Sequence, residues 1–360
     1  MKYIRTYGDY ESYKADYSDT SRGFRLKPVL YKYSEAGDHI HLELDDPRKH
    51  GDSTYMEITL DSDTEFSFYI GNKPGDTQTT MTCTIDWGDG VIEDKNITAD
   101  SNGFKLSHNY TGRNFREIEL YNVERDYSIV GDGTNTKSLI SHPSSVKRVI
   151  LGNSVVSIGT YAFYNCSNLT SIHIPESVTD IGNYALRSCK SLSSIYIPEG
   201  VTSIGNYAFY YCTSLTSVYI PEGVTSIGER VFAYCTSLTS VYIPEGVTSI
   251  GERVFERCSS LTSVYIPEGV TSIGRYAFTY CTSLTSVNIP EGVTSIGEAM
   301  FYECSSLTSI SSFNPTAPTL DINVFASLPT NGTLYIKPGA TGYDAWLSKL
   351  PSGWTIVEDL

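Results

Sequence analysis

The sequence predicts a mainly β chain: a small N-terminal β segment, a β-sandwich, then a solenoid of 23-residue coils closed by a C-terminal cap. Two observations predict it. Cys166, Cys189, Cys212, Cys235, Cys258, Cys281 and Cys304 recur every 23 residues, and Pro221, Pro244 and Pro267 keep the same step. A fixed period of this size marks coils that bury their apolar sides only by stacking on one another. Upstream, runs such as Met56-Glu57-Ile58-Thr59-Leu60 and Cys83-Thr84-Ile85-Asp86-Trp87 alternate with period two between Gly/Asp/Asn turns, as antiparallel strands do.

Residues 1–50 are rich in tyrosine, with a short helix expected over Asp9–Ala15 and strands over Phe24–Tyr33 and His39–Leu44 about a Glu35-Ala36-Gly37-Asp38 turn. This segment is too small for a strong core of its own and is expected to dock onto something else. Its opening, MKYIRTY followed by a strand pair, resembles the N-terminal attachment segments of gut bacteriophage structural proteins.

Residues 51–140 form the sandwich and a linker turn at Gly131-Asp132-Gly133. The motif Ile85-Asp86-Trp87-Gly88-Asp89-Gly90, with His108-Asn109-Tyr110 downstream, resembles a PKD-type immunoglobulin-like module. Trp87 is expected in the core, and Gly88 and Gly90 in a tight turn. Asp86 and Asp89 supply fewer oxygens than calcium takes, so a structural turn is the preferred reading over a metal site.

The solenoid spans 141–312. In Leu215-Thr216-Ser217-Val218-Tyr219-Ile220 the apolar residues point inward as a strand requires, Pro221-Glu222-Gly223 turns a corner, and Val224 and Ile227 make a second inward pair. Val231, Phe232 and Cys235 are expected to close the coil through a short helical turn. The cysteine column reads as a buried, reduced ladder of small apolar groups, since in-register side chains make poor disulfide geometry. The pattern L-x-x-V/I-x-I-P-x-x-V-x-x-I-G-x-x-A/V-F-x-x-C resembles the BspA-type (treponemal) leucine-rich repeats. Residues 313–360, with Val324-Phe325, Thr333–Gly339, Trp346 and Trp354, resemble the degenerate last coil and cap of that family.

Stacking at about 4.8 Å turns each repeat position into a ladder. The outward strand position gives His173, Tyr196, Tyr219, Tyr242, Tyr265 and Asn288, a candidate ligand-binding strip of exposed rings edged by hydroxyls. Cross-strand stabilisation of the sheet, at roughly 0.2–1 kcal/mol per pair, explains the same tyrosines equally well. Glu176, Glu199, Glu222, Glu245, Glu268 and Glu291 make an acidic corner ladder, read as solvated side chains, with a cation or basic partner as the alternative. Tyr161, Tyr184, Tyr207 and Tyr276 share a column on the coil-closing side, interrupted by Arg230 and Arg253, and this side varies most between coils.

The net charge of −15 disfavours nucleic acid, and no apolar stretch is long enough for membrane insertion. The histidines have no metal-ligand spacing, and no catalytic or phosphate-loop motif is present, so no enzyme, metal or cofactor is expected. The first residues lack the apolar run of a Sec-type signal peptide. The resemblances imply a non-enzymatic recognition protein. The first expectation is a virion appendage of a bacteriophage, bound to other virion proteins through its N-terminal segment and presenting the solenoid to a host-surface protein or glycan. The alternatives are a BspA-like bacterial cell-surface adhesin and a purely structural virion decoration; a homo-oligomer stays open.

Overall fold

The computed structural model describes residues 56–62, 65–72, 77–87, 91–99, 103–109, 114–121, 127–129, 140 and 142–358. The expected N-terminal helix and strands, the attachment segment 1–50, Gly88–Gly90 and the Gly131–Gly133 turn lie outside these residues.

Among the described residues seven strands precede the first coil: β1 (Met56–Ser62), β2 (Glu65–Asn72), β3 (Thr80–Asp86), β4 (Ile92–Thr98), β5 (Phe104–Asn109), β6 (Asn114–Tyr121) and β7 (Tyr127–Ile129). Alternation places Met81, Cys83 and Ile85 of β3 and Phe104 and Leu106 of β5 in the core. Trp87 is fully buried and stacks on His108 at 5.0 Å, while its indole N–H donates to Glu93 Oε2 at 2.7 Å. The two halves of the expected Trp…His motif therefore meet.

The coils begin with β8 (Val146–Leu151) and β9 (Val155–Ile158), followed by β10 (Ser171–His173), β11 (Asp180–Ile181) and β12 (Ser203–Ile204). The sandwich does not stop where they start. One sheet runs β10-β8-β1-β6-β3-β4 and the other β12-β11-β9-β7-β2-β5. Strand β8 pairs antiparallel with β1, and β9 parallel with β7, so both ladders of the solenoid continue sandwich sheets. The buried residues form one cluster from Phe66 to Trp354. The sandwich thus covers strand edges that a first coil would otherwise expose.

Within the solenoid the strands pair in parallel and in register, Ser217, Val218 and Tyr219 facing Ser240, Val241 and Tyr242. Leu215, Ile220, Val224, Val231, Phe232 and Cys235 are all fully buried. The phenylalanines stack from Phe209 through Phe301 at 5.4–5.9 Å between neighbours. Each buried thiol from Cys189 to Cys304 donates to a carbonyl 26 residues earlier, such as Cys235 to Phe209 at 3.3 Å. Burial pushes the Cys212 thiol up to about 12 and lifts the other ladder thiols in the same direction.

The coil-closing segment is a correction to the sequence reading. It contains no helical turn; it alternates two kinds of hydrogen bond. Tyr207, Phe209 and Tyr211 donate to carbonyls of the next coil at 2.9–3.0 Å, while Ala208, Tyr210 and Cys212 donate three residues back within their own coil. Two residues of the segment, Tyr207 (φ 60) and Tyr211 (φ 65), take left-handed backbone without being glycine.

Glycine is demanded elsewhere, where coils approach closely. A Cβ on Gly274 would lie 2.5 Å from Glu252 N and 2.6 Å from Gly251 C, both backbone atoms. At Gly246 the nearest atom would be Glu222 O at an ordinary 3.4 Å. Gly274→Ala is therefore expected to cost about 1–3 kcal/mol and Gly246→Ala under about 0.5 kcal/mol, read as the difference between their thermal melts. Equal melting temperatures would refute the close-approach assignment.

At the other end, Ser309–Ser312, Gly332–Ile336 and Trp354–Glu358 extend the parallel ladder. Trp346, on the helical turn Asp344–Leu347, covers Phe325 at 5.4 Å and donates to Pro318 O at 2.8 Å. The Phe column is thus sealed, as the resemblance to a degenerate last coil and cap implies.

Candidate functional site: the strand-face ladder and the closing face

The register brings His173, Tyr196, Tyr219, Tyr242, Tyr265 and Asn288 onto one face, each pointing away from the core: all are partly or fully exposed, while Val218 and Val241 between them are buried. The expectation of a row of exposed rings needs correction. Tyr196, Tyr219 and Tyr242 are only half-exposed, and Tyr265 alone among the ladder tyrosines is open, at 53%. Tyr219 and Tyr242 stack at 4.9 Å with planes 6° apart, so each covers the other's face. Among the described residues the Tyr265 ring stacks on no other.

The tyrosine and glutamate ladders also prove to be one structure. Tyr196 donates its hydroxyl to Glu176 at 3.0 Å, Tyr242 to Glu222 at 2.8 Å, and Asn288 its amide to Glu268 at 3.3 Å. Tyr219 and Tyr265 stand in the same relation to Glu199 and Glu245, close enough for those carboxylates to help raise their phenols. From Tyr196 to Asn288 each outward residue thus faces the corner carboxylate 20 positions earlier, one coil back, whereas His173 has Asn153 there. Burial first, and the nearby carboxylates second, push the phenols of Tyr219 and Tyr242 up to about 12; Tyr196 shifts in the same direction. These hydroxyls stay protonated and stay donors at any physiological pH. The carboxylate row is correspondingly a row of acceptors: Glu176 and Glu222 each accept from one tyrosine, Glu268 from Asn288 and the Glu291 backbone N–H, and Glu291 from Lys337.

Hydroxyls flank the strip in a second register. Thr216 donates to Ser193 O at 3.1 Å and Thr239 to Thr216 O at 3.0 Å, so each side chain is fixed against the coil before it. The face is polar at its tips, and its threonines are held against the preceding coil.

The closing side is built differently. Tyr161, Tyr184 and Tyr207 stack at 4.7 Å, and the column continues as guanidinium on ring, Arg230 over Tyr207 at 5.3 Å and Arg253 over Tyr276 at 4.4 Å. Opposite charges pair within and between coils: Arg230 and Arg253 reach Glu229 and Glu252 beside them at 3.0 and 3.6 Å, and between coils Arg275 reaches Glu252 at 2.8 Å and Arg230 reaches Glu256 at 3.8 Å. Among the described residues no group of three or more His, Cys, Asp or Glu is placed to hold a metal ion.

Residues 141–261 and 225–338 match the BspA type leucine rich repeat region, in six copies. Among solved structures, the chain is similar to the leucine rich repeat protein of T. pallidum, at 24% identity over 65% of this chain and 92% of that one, with a TM-score of 0.40. It is similar to a leucine rich cell surface protein of Faecalibacterium prausnitzii, at 25% identity over 60% and 80%, with a TM-score of 0.38. A leucine-rich repeat protein of Bacteroides ovatus aligns over 79% of this chain and 100% of its own, at 18% identity and a TM-score of 0.24. No curated protein matches. With more than half of its residues inside the matched repeats, the chain belongs to the BspA-type leucine-rich repeat family.

Proposed function

We propose that this chain is a non-enzymatic recognition protein, displayed at a bacterial surface as an adhesin of the BspA kind, whose strand face binds a protein or glycan of a host. The solenoid is an interaction scaffold; what gives this one a contact point is Tyr265. Its ring is the most exposed of the strip and, unlike those of Tyr219 and Tyr242, stacks on no other among the described residues. A large, half-rigid amphipathic ring beside an amide (Asn288) and a carboxylate (Glu268) supplies apolar area and polar direction at low ordering cost. Tyr196, Tyr219 and Tyr242 hold the strip in shape. The sandwich belongs to the same reading as a PKD-like module: the Trp87–His108 stack supports it. The virion reading rests on residues 1–50, outside the described residues, and no observation of the structure favours it.

Immobilised host-matrix proteins and a glycan array are the targets for the test. Tyr265→Ser is expected to weaken binding by about 2 kcal/mol, roughly thirtyfold, with an unchanged melt. Tyr219→Ser is expected to lower the melting temperature and to affect binding less, because it removes a stacked, hydrogen-bonded ring. Unaltered binding by a folded Tyr265→Ser protein would overturn the assignment.

A further inference from the structure

Between residues 160 and 304 the chain has six basic side chains, Arg187, Lys190, Arg230, Arg253, Arg257 and Arg275, and every one lies on or beside the coil-closing side. Most are accounted for. Arg230, Arg253 and Arg275 have carboxylate partners, and Arg257 lies 4.4 Å from the Tyr280 ring centroid. Arg187 is different. Its guanidinium is framed by three rings, at 4.9 Å from Tyr210, 5.5 Å from Tyr164 and 5.6 Å from Tyr184, yet it has no carboxylate partner among the described residues. Its Nε is buried and has no hydrogen-bond partner among the described residues, while neither Nη is among the buried atoms. A guanidinium without a carboxylate partner leaves those Nη–H donors for an anion to reach. Lys190, three residues on and exposed beside the Tyr211 ring at 5.9 Å, adds a second positive charge to the same side.

We propose that Arg187, with Lys190 and the Tyr164 and Tyr210 ring edges, forms an oxyanion-binding site on the closing side that takes a glycan carrying isolated carboxylate groups. Three observations choose this ligand. The Tyr164 and Tyr210 rings stand edge-on and tilted to the stacked closing column beside Arg187, and their hydroxyls and edges suit a polyhydroxylated ligand. Among the described residues no large aliphatic side chain is exposed between 160 and 304, so the side lacks the apolar centre of a protein–protein contact. A net charge of −15 repels a dense polyanion at long range, whereas one acid group on a neutral framework meets chiefly the local charges of Arg187 and Lys190, with Glu256 acting on the Tyr210 ring beside them. This site is independent of the Tyr265 strip.

The test follows the Arg187 Nε–Hε resonance of the full chain by NMR. The titrants are glucuronate, inorganic sulfate, a partially methyl-esterified oligogalacturonide, the same oligosaccharide fully esterified, and polyglutamate. The expected result is a saturable shift with glucuronate and the partially esterified oligosaccharide, and none with the full ester. Arg187→Gln is expected to weaken the oligosaccharide about tenfold, Arg187→Lys less, and Arg275→Gln not at all. The proposal fails if no oxyanion shifts the resonance at millimolar concentration, or if the neutral ester binds as well. It also fails if polyglutamate binds while the sugars do not, which would make the partner an acidic peptide. Because the parent chain reports directly, a folding defect in a variant leaves the outcome readable.

Discussion

Raising the pH above about 9 is expected to unfold the solenoid cooperatively, over a range in which an ordinary β protein loses little. The ladder thiols are responsible. A cysteine in the unfolded chain titrates near 9, whereas burial holds Cys212 and Cys304 near 12 and lifts the rest of the column in the same direction. Above pH 9 the native state therefore binds more protons than the unfolded one, and stability falls as pH rises. The sign is fixed by the direction of the shifts: the contribution is fully present below about 9 and is lost on the way to 12. Each thiol contributes a slope of about 1.4 kcal/mol per pH unit, and the seven act together. The phenols of Tyr219 and Tyr242, also near 12, add to the fall from about pH 10 onward. Urea unfolding at pH 8, 9.5 and 10.5 measures it. Cys212→Ala and Cys304→Ala should each flatten the slope; a stability independent of pH between 9 and 11 would show that these thiols are not buried as described.

The second large effect belongs to the aromatic column. Phe255 is fully buried and stacked between Phe232 at 5.8 Å and Phe278 at 5.4 Å, and its carbonyl accepts the Cys281 thiol at 3.1 Å. Phe255→Ala is expected to cost about 3–5 kcal/mol, because stacked backbones on both sides cannot collapse into the space. In a solenoid each coil contacts only its neighbours, so the damage also weakens coupling across the middle of the array. The melt should broaden or split into two transitions. A single, unshifted transition would contradict a column that carries the core from coil to coil.

How much of this was readable in advance differs by element. The coil, its inward residues and its parallel register follow from the 23-residue step, since identical residues at identical positions leave one way to stack. The closing segment did not follow. Val231, Phe232 and Cys235 have a helix-like spacing, and the left-handed positions carry Tyr, Arg, Asn, Ser, Ala and Glu rather than glycine, so nothing in the composition marks them. Direction and exposure also separate: period two gave the outward sense of Tyr219 and Tyr242, but stacking on the neighbouring coil half-buries them. The tyrosine–glutamate bond was hidden because the partners are 20 residues apart in sequence and belong to different coils. A signal existed at Asn288, where the tyrosine is replaced by another hydrogen-bond donor while Glu268 stays. Arg187 gave none; its isolation is a property of its neighbours in three dimensions.

The claim beneath all of these predictions is that the coils stack in register, so that distance along the protein grows by one sheet spacing per repeat. Pulsed electron–electron resonance on spin-label pairs at the corner column tests it most directly. Labels would be placed by Glu→Cys at Glu176 with Glu245, Glu268 or Glu291 in turn, the buried native thiols remaining unlabelled. The account predicts separations rising linearly, by about 4.8 Å per coil, to roughly 24 Å for Glu176 with Glu291. Separations that do not increase with the number of intervening coils would contradict it.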